Sequence, residues 1–275
     1  MKRIILSVLL LITALTVVGC AGETSTTTRE TLVVGMEAGY APFNWTVDSQ
    51  GAYTEAVALS GQNAFADGYD VSIAKIIAEE LGMDLVIKAI EWDGLILSLV
   101  ESQEIDLIIA GMSPTADRAL TVDFTDEYYQ STHVVVLRSD SIFVNATSIN
   151  DFSGAKAIGQ IQTIYDDLIV QLAGATHENP LSDVPTIITA INQGTYDLTI
   201  LELPVAMAVV ETNPNLTYID FSGNNGFDIS YEDSAVAIAL RKGESELLAS
   251  INQILATIST EERETLMAEA ISRQP

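Results

Sequence analysis

Between Leu32 and Ala110, three short apolar runs alternate with two stretches of helical period. Leu32-Val-Val-Gly-Met36, Leu85 to Ile90 and Ile105 to Ala110 read as buried strands. Gly68-Tyr-Asp70 starts a helix with Asp70 as its N-cap; Val71, Ala74, Ala78 and Leu81 share one face, and Gly82 closes it. Trp92-Asp-Gly opens a second helix, running to Gln103 and carrying Leu95, Leu99 and Val100. A strand-helix-strand-helix-strand order with short connections implies parallel strands and right-handed crossovers. Open parallel sheets bind ligands at the carboxyl ends of their strands. Those ends carry Glu37 to Tyr40, Glu91-Trp92 and Gly111 to Arg118, so aromatic, acidic and guanidinium groups converge on one edge.

The third strand delivers Gly111-Met-Ser-Pro-Thr-Ala-Asp-Arg118. Gly111 permits a sharp turn, Pro114 fixes φ, and Thr115 or Ser113 can cap a helical turn begun by Ala116-Asp-Arg118. Free N–H groups, two hydroxyls and a guanidinium suit a carboxylate, which Arg118 can hold bidentately. The alternative is a surface pair of Arg118 with Asp117 or Asp123; the convergence of three strand ends favours binding. Glu37 to Trp45 reads as a loop, since Gly39 and Pro42 forbid a regular element. Within it Tyr40, flanked by small residues, suits stacking on a ligand, while Phe43 and Trp45 suit covering the core. The polar stretch 47–67 reads as a long loop or small excursion on the rim.

The second half repeats the logic. His133 to Arg138 and Ala155 to Gln160 read as strands. Thr163 caps a helix from Ile164 to Leu172, with Asp166 three residues on, so Gln160-Ile-Gln-Thr163 is a second anion-friendly turn. Thr186 to Gln193 reads as a helix closed by Gly194, and Tyr196 to Leu201 as a strand. Glu202 follows it, ahead of Pro204 in the first turn of a helix from Val205 to Glu211. A carboxylate there can bind an ammonium group or simply face the helix dipole. Strands at Leu216 to Phe221 and Ser234 to Leu240 precede two amphipathic helices, Ser245 to Ile258 and Thr260 to Ile271, the last capped by Ser259.

The 275 residues allow one or two domains, and 48% hydrophobic content is ample for a core. A formal charge of −26 argues against nucleic acid and against docking on anionic lipid. Cys20 is the single cysteine, so no intrachain disulfide forms. His133 and His177 stand in no ligand spacing, and no metal or other cofactor is expected. Met1-Lys-Arg3 precedes an apolar run from Ile4 to Val18, whose 15 residues are short for a membrane span. Closed by Val17-Val-Gly-Cys20, it reads as a secretory signal whose end resembles a bacterial lipobox, with Cys20 the lipidated first residue of the mature chain. Residues 21–30 read as a tether, so the folded part begins near Thr31, outside the cytoplasmic membrane and held by lipid only.

Several motifs together resemble the polar amino-acid-binding proteins of bacterial ABC importers, family 3 of the extracellular solute-binding proteins. They are Gly35-Met-Glu-Ala-Gly-Tyr-Ala-Pro-Phe43, Gly68-Tyr-Asp-Val71, Trp92-Asp-Gly-Leu95, Ile105 to Arg118 with its Gly-Met-Ser-Pro-Thr core, and Val122-Asp-Phe-Thr-Asp126. The resemblance runs in order from Leu32 to the end. It implies an α/β clamshell of two lobes, each a mostly parallel sheet flanked by helices: residues 31–131 plus 233–275, and residues 132–232, after a signal peptide of residues 1–20. By motif position, Arg118 clamps the ligand α-carboxylate, with Ser113 and the backbone of Gly111 beside it. Glu202 takes the α-ammonium where Asp is more usual, and Thr163 completes the carboxylate site. Tyr40 stacks on the ligand side chain, Glu37 stands where Asp is usual, and Trp92 forms a wall. The chain departs from the pattern at Gln160-Ile-Gln-Thr163, usually a Gly-Thr-Thr or Gly-Ser turn, and in the length of 47–67.

The resemblance also implies a monomer that hands a free amino acid to a membrane permease and its ATPase. The acidic groups Glu37, Glu91 and Glu202 favour a polar neutral or basic ligand. Two rival readings are an amino-acid sensor for a partner receptor and a dehydratase-like enzyme using paired carboxylates.

Overall fold

The computed structural model describes residues 30–274 except 52, 54 and 222. The leader, Cys20 and the tether up to residue 29 lie outside the described residues. Among the described residues no helix is long and apolar enough to cross a membrane.

Two five-stranded sheets carry the structure. In the first, Asp84–Ala89, Thr31–Met36 and Leu107–Ile108 run parallel; Ala235–Arg241 then pairs antiparallel with Leu107–Ile108 on one side and Val122–Gln130 on the other. In the second, Thr176–His177, Lys156–Ala157 and Leu198–Glu202 run parallel, and His133–Arg138 lies antiparallel between Leu198–Glu202 and Leu216–Ile219. Each lobe is thus a three-stranded parallel unit extended by an antiparallel strand. Only Ser131 and Thr132 separate the long strand Val122–Gln130 of lobe 1 from strand His133–Arg138 of lobe 2. The chain returns through the short helix Tyr231–Ser234, and the Ser131 amide donates to the Ser234 carbonyl, so the two crossings lie side by side.

Within strand His133–Arg138, Val134 to Leu137 is an unbroken apolar run because both its faces are buried. Val134 and Val136 pack into the large core shared with lobe 1, whereas Val135 and Leu137 pack on Phe152, Ile169 and Leu172 within lobe 2. The period of two, applied to a stretch covered on both sides, leaves no polar position between His133 and Arg138.

Local details differ from the sequence reading where tertiary contacts compete with local preference. Helix Tyr69–Glu80 starts two residues earlier than expected, with Gly68 as N-cap. Asp70 is not the cap: it is buried and accepts from Asn44 Nδ2 at 2.7 Å and from the Tyr128 hydroxyl at 2.6 Å. A Cβ on Gly68 would meet the Phe43 carbonyl oxygen at 2.2 Å, so only glycine fits that junction. The stretch after Trp92 is a 3-10 turn, Trp92–Gly94, followed by a short α-helix, Leu95–Val100. Glu37 to Trp45 is not an irregular loop. Gly39–Tyr40 and Asn44–Val47 pair antiparallel around a cis Ala41-Pro42 bond, and Phe65–Asp67 and Val57–Ala58 extend them into a four-stranded sheet. The excursion 47–67 therefore belongs to this third, smaller sheet. Phe43 and Trp45 are buried core residues.

Candidate functional site

Glu37, Tyr40, Trp92 and Arg118, all at the ends of lobe 1 elements, meet lobe 2 across a narrow cleft. The Tyr40 hydroxyl donates to Glu202 Oε2 at 2.8 Å. Gln160 Nε2 donates to Glu37 Oε1 at 2.9 Å. Arg118 Nη2 and Trp92 Nε1 both donate to the Gln162 carbonyl, at 3.0 and 3.3 Å. The Arg118 guanidinium lies over the Trp92 ring, 5.1 Å from its centroid, a cation–π contact that fixes its plane. Its Nη1 donates to the Ser113 carbonyl at 2.9 Å. At this edge a cavity of about 250 Å³ opens between the lobes, walled by Trp92, Ile96, Thr115, Arg118, Gln162 and Asp167.

The segment before Arg118 forms no α-helix. Arg118–Leu120 is a single 3-10 turn, and Thr115 Oγ1 accepts from the Arg118 amide at 3.4 Å. Arg118 therefore supplies its own charge and fork rather than sharing a site with a helix N-terminus. Gly111 takes φ +62°, and a Cβ there would meet the Tyr40 ring at 3.1 Å. Its amide donates to the Tyr128 hydroxyl at 3.3 Å, the same hydroxyl that donates to Asp70. Asn44 bonds Asp70 and accepts from the Ala38 amide at 2.7 Å. One buried chain of hydrogen bonds thus ties the Gly111 turn to the hairpin that presents Tyr40. Burial pushes the Asp70 carboxyl up to about 6, against the lowering effect of these bonds.

Ser113 and Thr163 are buried, with their hydroxyls engaged within the protein. Ser113 Oγ donates to the Asp233 carbonyl at 3.3 Å, beside the returning crossing. Thr163 Oγ1 donates to the Gln160 carbonyl at 2.7 Å and caps helix Ile164–Leu168 by accepting from the Asp166 amide. All eight residues singled out from the sequence lie around the cleft: Glu37, Tyr40, Trp92, Arg118 and Glu202 make the contacts across it, and Gly111, Ser113 and Thr163 support the turns on either side.

Three further groups had little sequence signal. Gln160 is visible in the sequence as a strand end and as part of the turn Gln160-Ile-Gln-Thr163, with no role of its own. Gln162 holds φ +58° and offers its carbonyl, a backbone property no side-chain pattern reveals. Tyr165, in the first turn of a five-residue helix, hydrogen-bonds Glu202 from lobe 2.

The electrostatics are those of buried, unneutralised carboxylates. Burial, with Asp183 and Glu91 nearby, pushes Glu37 up to about 7 despite the Gln160 bond. Burial likewise pushes Glu202 up to about 7, opposed by bonds from Tyr165 and Tyr40. Burial lowers the Arg118 pKa, while Tyr165, Asp167, Asp233 and Glu202 favour its charged form. A guanidinium stays protonated under such conditions. The cleft thus brings together one cation, Arg118, and two carboxylates, Glu37 and Glu202, whose charged forms burial disfavours.

The family profile of bacterial extracellular solute-binding proteins, family 3, matches residues 32–270. The chain is 29% identical over 250 residues to the arginine-binding extracellular protein ArtP of Bacillus subtilis, covering 88% of this chain and 86% of that protein. It is 27% identical over 229 residues to the L-cystine-binding protein TcyJ of Escherichia coli, covering 83% and 77%. Among solved structures, the amino acid ABC transporter substrate-binding protein AbpA of Streptococcus pneumoniae, bound to L-arginine, superposes with a TM-score of 0.71 at 26% identity, covering 88% of this chain and 94% of that one. With the two-lobed fold and a profile match across nearly the whole folded region, the chain belongs to family 3 of the bacterial extracellular solute-binding proteins.

Proposed function

We propose that this protein captures a free basic amino acid, arginine or lysine, between its lobes and presents it to the permease and ATPase of an ABC importer. The observation that carries this reading is Glu37, a largely buried carboxylate beside Asp183 and Glu91. Such a group is costly to ionise by itself and is relieved by a cation. A ligand whose α-carboxylate lies on Arg118 and whose α-ammonium lies on Glu202 would reach Glu37 with its charged side chain, and Trp92 and Tyr40 would flank the aliphatic stem. Contacts from both lobes favour the closed arrangement through their differential affinity for it. The arginine-binding relative in Bacillus subtilis and the arginine-bound structure from Streptococcus pneumoniae support the ligand class.

In this reading the lobes are residues 31–131 plus 233–275 and residues 132–232. Cys20 carries lipid after removal of residues 1–20, and the monomeric protein is anchored on the extracytoplasmic face of the cell membrane.

The test is thermal unfolding of residues 21–275 against a panel of amino acids at millimolar concentration. A ligand at about 100 times its dissociation constant adds about 2.7 kcal/mol, a rise of about 5–11 °C for a chain this size. Arginine and lysine should raise the midpoint, glutamate should not, and Arg118→Ala should abolish the rise. No shift with any amino acid, on protein stripped of co-purified ligand, overturns the reading.

A further inference from the structure

Glu202 is 2% exposed, and its hydrogen-bonding partners are phenols from opposite lobes. Tyr40 donates from lobe 1 at 2.8 Å, and Tyr165 hydrogen-bonds the same carboxylate from lobe 2. Arg118 acts on Glu202 only through space, since its two Nη atoms donate to the carbonyls of Ser113 and Gln162. His133 is the direct antiparallel partner of Glu202, so the two side chains leave the same face of the sheet with Cβ atoms about 5 Å apart. The His133 ring packs on Tyr165 with centroids 5.5 Å apart, and both its nitrogens are buried without a hydrogen-bond partner. Burial pushes this imidazole down to about 4, so it is neutral and supplies no charge to Glu202. Tyr165 therefore stands between a neutral histidine and a buried carboxylate, with its hydroxyl on Glu202.

This has a consequence for selectivity. Where a buried carboxylate has only the ligand ammonium as partner, a ligand without that ammonium strands the charge, and sites built that way reject such analogues by about 10⁴-fold or more. Here two hydroxyls can satisfy the carboxylate. Resting on the amino-acid reading above, we propose that Tyr165, with Tyr40, sets selectivity at the ligand's α-amino position: the two phenols stand in for the ammonium on Glu202, so the cleft accepts carboxylates lacking an α-amino group alongside α-amino acids.

Calorimetric titration of the full chain with L-arginine against 5-guanidinopentanoate, and L-lysine against 6-aminohexanoate, tests this. Each pair differs only in the α-amino group. The wild-type protein should bind each analogue within about a hundredfold of its amino acid, far short of the rejection expected from an unaided carboxylate. Tyr165→Phe keeps the ring on His133 and removes one donor, and should widen the ratio by about tenfold. Tyr40→Phe removes the other donor from the opposite lobe and serves as the readout if Tyr165→Phe fails to melt cooperatively. Wild-type rejection of both analogues by more than a hundredfold, or a ratio unmoved in a folded variant, overturns the proposal while leaving amino-acid capture intact. Failure of both amino acids to bind overturns the amino-acid reading, and this inference with it.

Discussion

Burial keeps Glu37 and Glu202 partly protonated near neutrality, while a bound cation favours their ionised forms. Ligand capture should therefore expel protons, and affinity for a basic amino acid should fall as pH drops below about 7. Titrations at pH 7 in buffers of different ionisation enthalpy should show net proton release on binding; equal apparent enthalpies in all buffers would contradict it. Arg118 gives the second prediction at this level. Its fork spans two carbonyls and its face covers Trp92, geometry an ammonium cannot reproduce. Arg118→Lys should weaken binding by at least about tenfold, the worth of one charge-assisted hydrogen bond, although charge is conserved; calorimetry reads this directly. Arg118, Tyr40 and Glu202 were legible in the sequence because strand ends in a parallel unit point to one edge. Tyr165 was not, because its role depends on an antiparallel pairing between residues 69 positions apart, His133 and Glu202.

The elements that aim these side chains are short, and tertiary bonds rather than helix length hold them. Expected helices after Trp92 and Thr163 shrink to six and five α-helical residues flanked by 3-10 turns. The apolar pattern persists through these turns, so periodicity alone overestimates their length. Asp70 shows the same limit. An aspartate at a helix start reads as a cap, yet Tyr128 and Asn44 draw it into a buried network and Gly68 takes the cap. That network makes Gly111 a sensitive position. Gly111→Ala places a methyl against the Tyr40 ring in a left-handed backbone conformation. It should destabilise the protein by about 1–2 kcal/mol from the backbone alone and weaken binding by displacing Tyr40. A denaturation curve and a titration on the same preparation separate the two effects. By contrast Thr163→Ala removes a cap and should cost about 1 kcal/mol.

Across the whole molecule, the buried carboxylates set how stability responds to pH. Glu37 and Glu202 rise from 4.5 to about 7 and Asp70 from 3.8 to about 6. In these windows the folded state keeps protons that the unfolded chain has released, so stability should fall as pH rises toward 7. Groups held low, such as Asp123 and Asp151, are already ionised throughout that range and add no slope. Self-repulsion within a chain of charge −26 acts in the same direction. Urea midpoints at pH 5 and 7.5 should show lower stability at 7.5, and saturating arginine should narrow the gap; a flat profile would contradict this account.

The alternation of apolar runs with helical stretches already specifies parallel α/β units with Arg118 and Glu202 at strand ends, because side-chain periodicity and chain connectivity are local properties; the two-lobed arrangement comes from the resemblance of the motifs to a known family. The small sheet of residues 39–67, the buried Asp70, and the grip of Tyr40 and Tyr165 on Glu202 arise only in the folded chain. Each requires groups distant in sequence to meet where water is excluded, and there the cost of an unpaired polar group decides which contacts form.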